Sequence, residues 1–360
     1  MANQRIKLLI VDDSALMRKH LRQIFEQEGD FDIVLARNGF EALEQAAALK
    51  PDVITLDVNM PGLDGITCLE RLVTAGSQAR VVMVSSLTEK GADVTLRALQ
   101  LGAVDYVPKP DGTVSLSIER VHGMLVSKVR AAARARPRQV SSLSQRVRAQ
   151  RQEAERGVSA GVAQRAAAGA GVSGLVLIGV STGGPRTLED ILPLLPAHFP
   201  WPVVVAQHMP SAFTGVFARR LNDACAVEVT EVGGVVPLLP GHAYIGRGDA
   251  DVVVERRLGR LVANSVRSDD SLWHPSVNRL VNSAMKVMPP APTVGVLLTG
   301  MGNDGAAEMA ALRRLGGHTI AESEASAVIF GMPAELIRLG GAELVLPADA
   351  VTRQLLIWAR

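Results

Sequence analysis

Leu175-Val-Leu-Ile-Gly-Val180 runs directly into Ser181-Thr-Gly-Gly184, an apolar stretch that ends on a hydroxyl in a glycine turn. Two further runs share this design. Val203-Val-Val-Ala206 leads to Gln207-His208-Met209, and Val294-Gly-Val-Leu-Leu298 leads to Thr299-Gly-Met-Gly-Asn303-Asp304-Gly305. Each reads as a strand followed by a polar loop, and in an open parallel α/β sheet the loops at the carboxyl edge converge on one crevice. A hydroxyl, an imidazole and a carboxylate are thereby brought to one edge. A serine hydroxyl is a poor nucleophile at neutral pH unless an imidazole takes its proton and a carboxylate fixes the imidazole tautomer. Ser181, His208 and Asp304 are the candidates for these three roles.

The amino-terminal part alternates strand and helix signals. Strands are expected at 6–11, 32–36, 53–56, 81–84 and 104–107, with helices at 15–28, 41–49, 69–75, 94–101 and 118–129 between and after them. This is a (βα)5 pattern and implies a parallel sheet. Its polar residues again stand at strand ends: Asp12 and Asp13 after the first strand, Asp57 after the third, Ser85-Ser86 after the fourth and Lys109 after the fifth. Clustered carboxylates repel one another unless a hard cation is shared, and Mg²⁺ prefers such oxygen ligands. A Mg²⁺ site is expected there, with Asp57 as a nucleophile toward a phosphoryl group, Lys109 neutralising charge and Ser85 hydrogen-bonding the product. Helix capping is the plainer reading of any single strand-end aspartate, but it leaves the four matched positions unexplained.

The chain has 360 residues, enough for two cores, and 48% of them are hydrophobic with only 3% aromatic, as suits Val/Ile/Leu/Ala-rich parallel sheets. Asp12-Asp13 cuts short the first apolar stretch, so neither a signal segment nor a membrane span is expected and a cytoplasmic location follows. Cys68 and Cys225 lack metal-ligand spacing and read as reduced core residues. Net charge is +2, yet residues 130–171 hold nine arginines against Glu153 and Glu155. That +7 stretch has no sustained apolar period and reads as a linker, a solvated spacer or a contact for an acidic partner or lipid headgroups. The rest of the chain is net negative, so no nucleic-acid partner is expected for either folded module. The expected modules are 1–126, the linker 127–171, and 172–360.

Val11-Asp-Asp-Ser14, Leu56-Asp57-Val-Asn-Met-Pro-Gly-Leu-Asp-Gly65, Met83-Val-Ser-Ser86 and Tyr106-Val-Pro-Lys109-Pro110 make residues 5 to 126 resemble a receiver domain of two-component signalling. The resemblance implies that Asp57 is the phosphoacceptor, that Asp12, Asp13, Asp57 and the Asn59 carbonyl surround the cation, and that Ser85 and Tyr106 are switch residues. It leaves open whether Ser85 or Ser86 supplies the switch hydroxyl. It also makes Lys109-Pro110 a candidate cis bond.

In the second half, Gly179-Val-Ser181-Thr-Gly183 fits Gly-x-Ser-x-Gly, but the order Ser, His, Asp differs from the Ser, acid, His of α/β-hydrolases. A phosphate cradle is the other reading of a glycine turn before a helix, although neither dinucleotide nor P-loop spacing is present. Taken with Gln207-His208-Met-Pro, Phe213-Thr, Arg220-Leu-Asn, Leu298-Thr-Gly-Met301-Gly-Asn-Asp304-Gly-Ala-Ala and Glu324-Ala-Ser-Ala-Val-Ile-Phe-Gly-Met-Pro333, the chain resembles the CheB-type protein-glutamate methylesterases of bacterial chemotaxis. This implies a receiver joined to a doubly wound, mainly parallel α/β hydrolytic domain. It implies methyl-ester hydrolysis at glutamates, and deamidation at glutamines, of chemoreceptor cytoplasmic helices, with a chemotaxis histidine kinase as phosphodonor. Membrane association would be through the receptors alone, and ester hydrolysis would need no cofactor. Ser181 becomes nucleophile, His208 general acid/base and Asp304 its orienting partner, with the Met301 and Thr182 N–H groups donating to the oxyanion.

Trp273 and Asn278 depart from the His, basic residue, Pro-Ser-Val, Asp pattern of the family near the presumed cleft. Of the other histidines, His20, His122, His198 and His318 read as surface or structural residues, whereas His242 and His274 stay open. Having a phosphoacceptor and a hydrolase on one chain leads to the expectation that the receiver obstructs the catalytic edge until Asp57 is phosphorylated. A serine esterase acting in another pathway and a non-catalytic response regulator are the alternative functions.

Overall fold

Apolar runs of four to six residues, each followed by a helix, fold in the first unit as five β/α repeats. The computed structural model describes residues 5–86, 88–109, 115–135, 172–269 and 273–359, and divides into the units Met1–Arg138 and Gln139–Arg360. Strands β1 (Ile6–Val11), β2 (Phe31–Ala36), β3 (Val53–Asp57), β4 (Arg80–Ser85) and β5 (Asp105–Pro108) alternate with helices α1 (Ala15–Glu28), α2 (Gly39–Leu49), α3 (Gly65–Thr74), α4 (Glu89–Leu101) and α5 (Ser115–Arg134). The sheet order is β2-β1-β3-β4-β5 and every pairing is parallel. β1 and β3 are adjacent, so Asp12 and Asp57 end up side by side at the carboxyl edge.

The closing helix runs beyond the expected Val129 and past the expected module boundary at 126. Leu125, Val126, Val129, Ala131, Ala132 and Ala135 are all buried, a helical spacing whose small Ala members hide it from a search for large apolar residues. Arg130, expected in the linker, instead pairs with Asp30 at 2.8 Å and Glu28 at 2.7 Å at the end of α1. Residues 136–171 of the expected linker lie outside the described residues.

In the second unit the strands are β6 (Leu175–Val180), β7 (Val203–Gln207), β8 (Glu228–Val232), β9 (Val235–Pro237), β10 (His242–Gly246), β11 (Ala250–Arg257), β12 (Arg260–Arg267), β13 (Thr293–Leu297), β14 (His318–Glu322) and β15 (Leu344–Leu346). Seven of them form a parallel sheet in the order β15-β14-β13-β6-β7-β10-β8. β11, β12 and β9 make a small antiparallel sheet that the three apolar runs give no hint of. The helices are α6 (Gly184–Ile191), α7 (Ser211–Ala224), α8 (Val277–Val287), α9 (Ala306–Arg314), α10 (Met332–Arg338) and α11 (Ala348–Trp358).

β6 is the centre of this sheet, with β7 on one side and β13 on the other. The chain therefore steps away from β6 in one direction and returns in the other, a topological switch point at which the carboxyl-edge loops part to leave a crevice. Leu175 and Leu177 of β6 pack with Val204, Leu280, Val281, Met309 and Leu312 in a buried cluster that fixes the strand under its loop. Among the described residues, no helix is long and apolar enough to cross a membrane.

Candidate active site

Three carboxylates meet at the carboxyl edge of the first unit. One oxygen from each of Asp12, Asp13 and Asp57 lies within 4.8 Å of the others, and Lys109 Nζ is 3.1 Å from Asp12 Oδ2 and 2.8 Å from Asp57 Oδ2. Burial pushes the Asp57 carboxyl above the ordinary carboxylate range; Lys109 pulls it down and the Asp12 charge adds to the rise. Burial works against the Lys109 charge, but Asp57 and Asp12 outweigh it and hold the ammonium above its ordinary value. Asp12 Oδ2 and Asp57 Oδ2 are buried and face the Lys109 ammonium, and with Asp13 they make the hard oxygen set that a small divalent cation prefers. Asn59 donates its amide to Asp57 Oδ1 at 3.2 Å, which brings its backbone to the rim of this cluster.

Ser85 ends β4 fully buried, and its backbone carbonyl accepts the Lys109 amide at 2.8 Å. Tyr106 is buried on β5, with its ring 4.9 Å from Lys128 Nζ, which also bonds Asp105 at 3.0 Å. Pro110 lies outside the described residues, and the cis peptide bond among them is His274-Pro275.

The turn that carries Ser181 depends on two glycines. Gly183 has φ +80°, and a Cβ there would sit 2.6 Å from the Val328 side chain. At Gly184 a Cβ would come within 2.1 Å of Gln207 Oε1. The close approach lets Ser181 donate its amide to Thr299 O at 3.0 Å and accept Gly184 N at 2.8 Å. The buried Gln207 carboxamide then binds Ser181 O at 3.0 Å and His208 O at 3.1 Å, tying the loops after β6 and β7 together.

His208 and Asp304 come into direct contact. His208 Nε2 lies 2.8 Å from Asp304 Oδ2, and the opposite ring nitrogen, Nδ1, is buried with no hydrogen-bond partner. Burial pushes the Asp304 pKa up, but hydrogen bonding and attraction from His208, with the Asn278 and Val277 amides, outweigh it and leave the carboxyl below its ordinary value. An ionised carboxylate only accepts, so the ring proton belongs on Nε2 and the lone pair on Nδ1. No hydrogen bond joins Ser181 to the imidazole in this structure; their backbones are linked instead through Val180 O, which accepts His208 N at 3.0 Å.

Met301 follows Gly300, whose own N–H and carbonyl are bonded to Ile329 and to Gly331 and Met332, respectively. Among the described residues the Met301 N–H donates to nothing, and a Cβ at Gly300 would lie 2.7 Å from Ser181 Cβ. The Gly300 backbone that leads into Met301 thus packs directly against the serine. Thr182 is fixed through its carbonyl, which accepts Thr299 Oγ1 at 2.9 Å.

A profile of the CheB methylesterase family matches residues 176–355, and one of the response regulator receiver domain matches residues 8–118. The chain is 56% identical over 355 residues to the protein-glutamate methylesterase/protein-glutamine glutaminase 3 of Rhodospirillum rubrum, covering 98% of this chain and 96% of the relative. The chain belongs to the CheB methylesterase family. A Vibrio cholerae member, also named protein-glutamate methylesterase/protein-glutamine glutaminase 3, is 40% identical over 92% of this chain and 91% of its own. Among solved structures, the Thermotoga maritima CheB methylesterase catalytic domain matches with TM-score 0.50 and 38% identity, covering 52% of this chain and 99% of that one. This chain is accordingly a CheB-type methylesterase with a receiver domain.

Several parts of this CheB site were not assigned from the sequence. Asp304 was expected to orient His208 and, in its plainer reading, to cap the helix beginning near Gly305. Besides its contact with His208 it takes the first two amides of α8, Val277 N at 2.7 Å and Asn278 N at 2.9 Å, next to the N-cap Ser276, while α9 follows its N-cap Gly305 with no side-chain cap from Asp304. Asn278 Oδ1 accepts Gly305 N at 2.6 Å and so closes the loop that bears Asp304. Trp273 lies flat against His208, with ring centroids 5.5 Å apart and planes at 9°. The Gln207 bridge had no signal beyond its place before His208.

Proposed function

We propose that this chain hydrolyses methyl esters of glutamates, and amides of glutamines, on the cytoplasmic helices of chemoreceptors, through Ser181, His208 and Asp304. The observation that carries the reading is the 2.8 Å contact of His208 Nε2 with an ionised Asp304, which leaves Nδ1 buried and open. In the first step Nδ1 takes the Ser181 proton as Oγ attacks the γ-carbonyl. The Met301 N–H, with that of Thr182, stabilises the oxyanion. His208 returns the proton to departing methanol, or to ammonia from an amide, and Asp304 holds the imidazolium. Water activated by the same nitrogen then releases the glutamate and restores Ser181.

Phosphorylation of Asp57 by a chemotaxis histidine kinase raises this activity, with Ser85, Tyr106 and Lys109 reading the phosphoryl group. Asp12, Asp13, Asp57 and the Asn59 carbonyl would hold Mg²⁺. When bound, the ion neutralises the negative charge that gathers on the phosphoryl oxygens. Lys109 contributes a fixed positive charge beside the same oxygens. Ester hydrolysis itself takes no cofactor. The reading places the protein in the cytoplasm, at receptor arrays only through its substrate.

Labelling with a fluorophosphonate probe tests the serine. The adduct is expected on Ser181, located by mass spectrometry, and weakened in His208→Gln. A wild-type protein that takes no label, or takes it elsewhere, overturns the assignment.

A further inference from the structure

The His208 imidazole is held at one edge by Asp304 and flat on one face by Trp273. A centroid separation of 5.5 Å with planes at 9° is stacking geometry, within the 4.5–7 Å range in which ring pairs attract. The indole also reaches the oxyanion loop, since its Nε1 lies 3.7 Å from where a Cβ on Gly302 would stand. Trp273 thus lies beside the loops that carry both His208 and Met301.

The segment bearing Trp273 is anchored from below by one fully buried carboxylate. Asp251, at the start of β11, takes His274 Nδ1 at 2.9 Å and Ser276 N at 2.6 Å on Oδ1, and the Arg279 guanidinium on Oδ2. His274 O in turn accepts the Met209 amide at 3.3 Å, next to His208. Two residues further on, the Ser276 hydroxyl and the Val277 and Asn278 amides bond Asp304. One short stretch, hung from Asp251, therefore sets both an aromatic face against the imidazole and the donors around its carboxylate partner.

We infer that Trp273 is a positioning residue that fixes the plane of the His208 ring, so that Nδ1 stays turned toward the crevice while Nε2 remains on Asp304. Asp304 alone fixes one point on the ring and leaves it free to tilt about that contact. The indole removes the tilt. The inference rests on the proposed Ser181-His208-Asp304 mechanism, and part of its test needs no substrate.

Full-length Trp273→Ala and Trp273→Phe are compared with the wild type for methanol release from methylated receptor membranes. Because a misplaced reacting group costs rate rather than affinity, kcat of the Ala variant is expected to fall roughly tenfold to a hundredfold. KM is expected to stay within about twofold, and Phe, which keeps a flat face, to recover most of the rate. The second readout is the ring-current shift that an indole face imposes on the His208 ring protons, read by proton NMR at one fixed pH and assigned by the loss of those signals in His208→Gln. The signals are expected to move in Trp273→Ala. An Ala variant with wild-type kcat, a Phe variant no better than Ala, or His208 signals unmoved by Trp273→Ala overturns the inference. Because the NMR test uses no substrate, it tells loss of stacking apart from failure of the receptor-esterase reading.

Discussion

Asp304 accepts the Val277 amide at 2.7 Å on Oδ2, the same oxygen that meets His208 Nε2 at 2.8 Å. One carboxylate therefore closes the amino-terminal turn of α8 and holds the His208 ring. The positive end of the helix and the imidazole both favour its ionised form, so the two contacts reinforce one another.

Replacing Asp304 should separate these roles. Asp304→Asn keeps an acceptor for the helix but presents an amide to His208, and kcat for methanol release is expected to fall by about three to four orders of magnitude. Asp304→Ala also loses the cap and leaves buried amides unmet, costing about 2–3 kcal/mol in urea unfolding of the catalytic unit.

The same carboxyl sets a pH dependence. Its folded pKa lies below the unfolded value, so its contribution is present above the unfolded pKa and is lost as pH falls through the folded one. Stability of the catalytic unit is expected to decline below about pH 4, with a shallower decline in Asp304→Asn. Equilibrium unfolding at a series of acid pH values checks both slopes.

Asp57 has the opposite sign. Its folded pKa is raised, so the stability it contributes is present at low pH and lost as pH rises through that pKa, leaving a strained carboxylate at neutral pH. Asp57→Asn is expected to raise the Tm of the receiver transition at pH 7 by a few degrees, read by calorimetry, while abolishing stimulation by a small phosphodonor.

Divalent metal should act on the receiver alone. Mg²⁺ at 100 times its Kd is expected to stabilise the receiver transition by about 2.7 kcal/mol, an effect lost in Asp12→Ala. Chelation should remove phosphodonor stimulation and leave basal methanol release unchanged.

Much of this was legible in the sequence because strand ends in a parallel sheet are chemically punctuated. Val180-Ser181, Gln207-His208 and the Thr299–Asp304 loop each follow an apolar run, and the switch-point topology brings them to one crevice. The apolar runs located β1–β5 to within a residue at each end, whereas the helical spacing found the helices but began α3 and α4 four and five residues late and ended α5 five residues early. What escaped was long-range and small-residue structure. The tail of α5 is held by alanines, whose burial leaves little trace in hydropathy. The antiparallel β9, β11 and β12 depend on pairings across the chain. Asp251, Gln207 and Asn278 look like ordinary polar residues until the fold sets them against His274, Ser181 and Gly305.

The central claim is that Ser181 performs the hydrolysis and that Asp57 governs its rate. Methanol release from methylated receptor membranes, measured for wild type and Ser181→Ala with and without a small phosphodonor, tests both at once. Release by the wild type, stimulation by the phosphodonor, and no release from Ser181→Ala in either condition are expected. Release from Ser181→Ala at the wild-type rate, or a wild type indifferent to the phosphodonor, would contradict it.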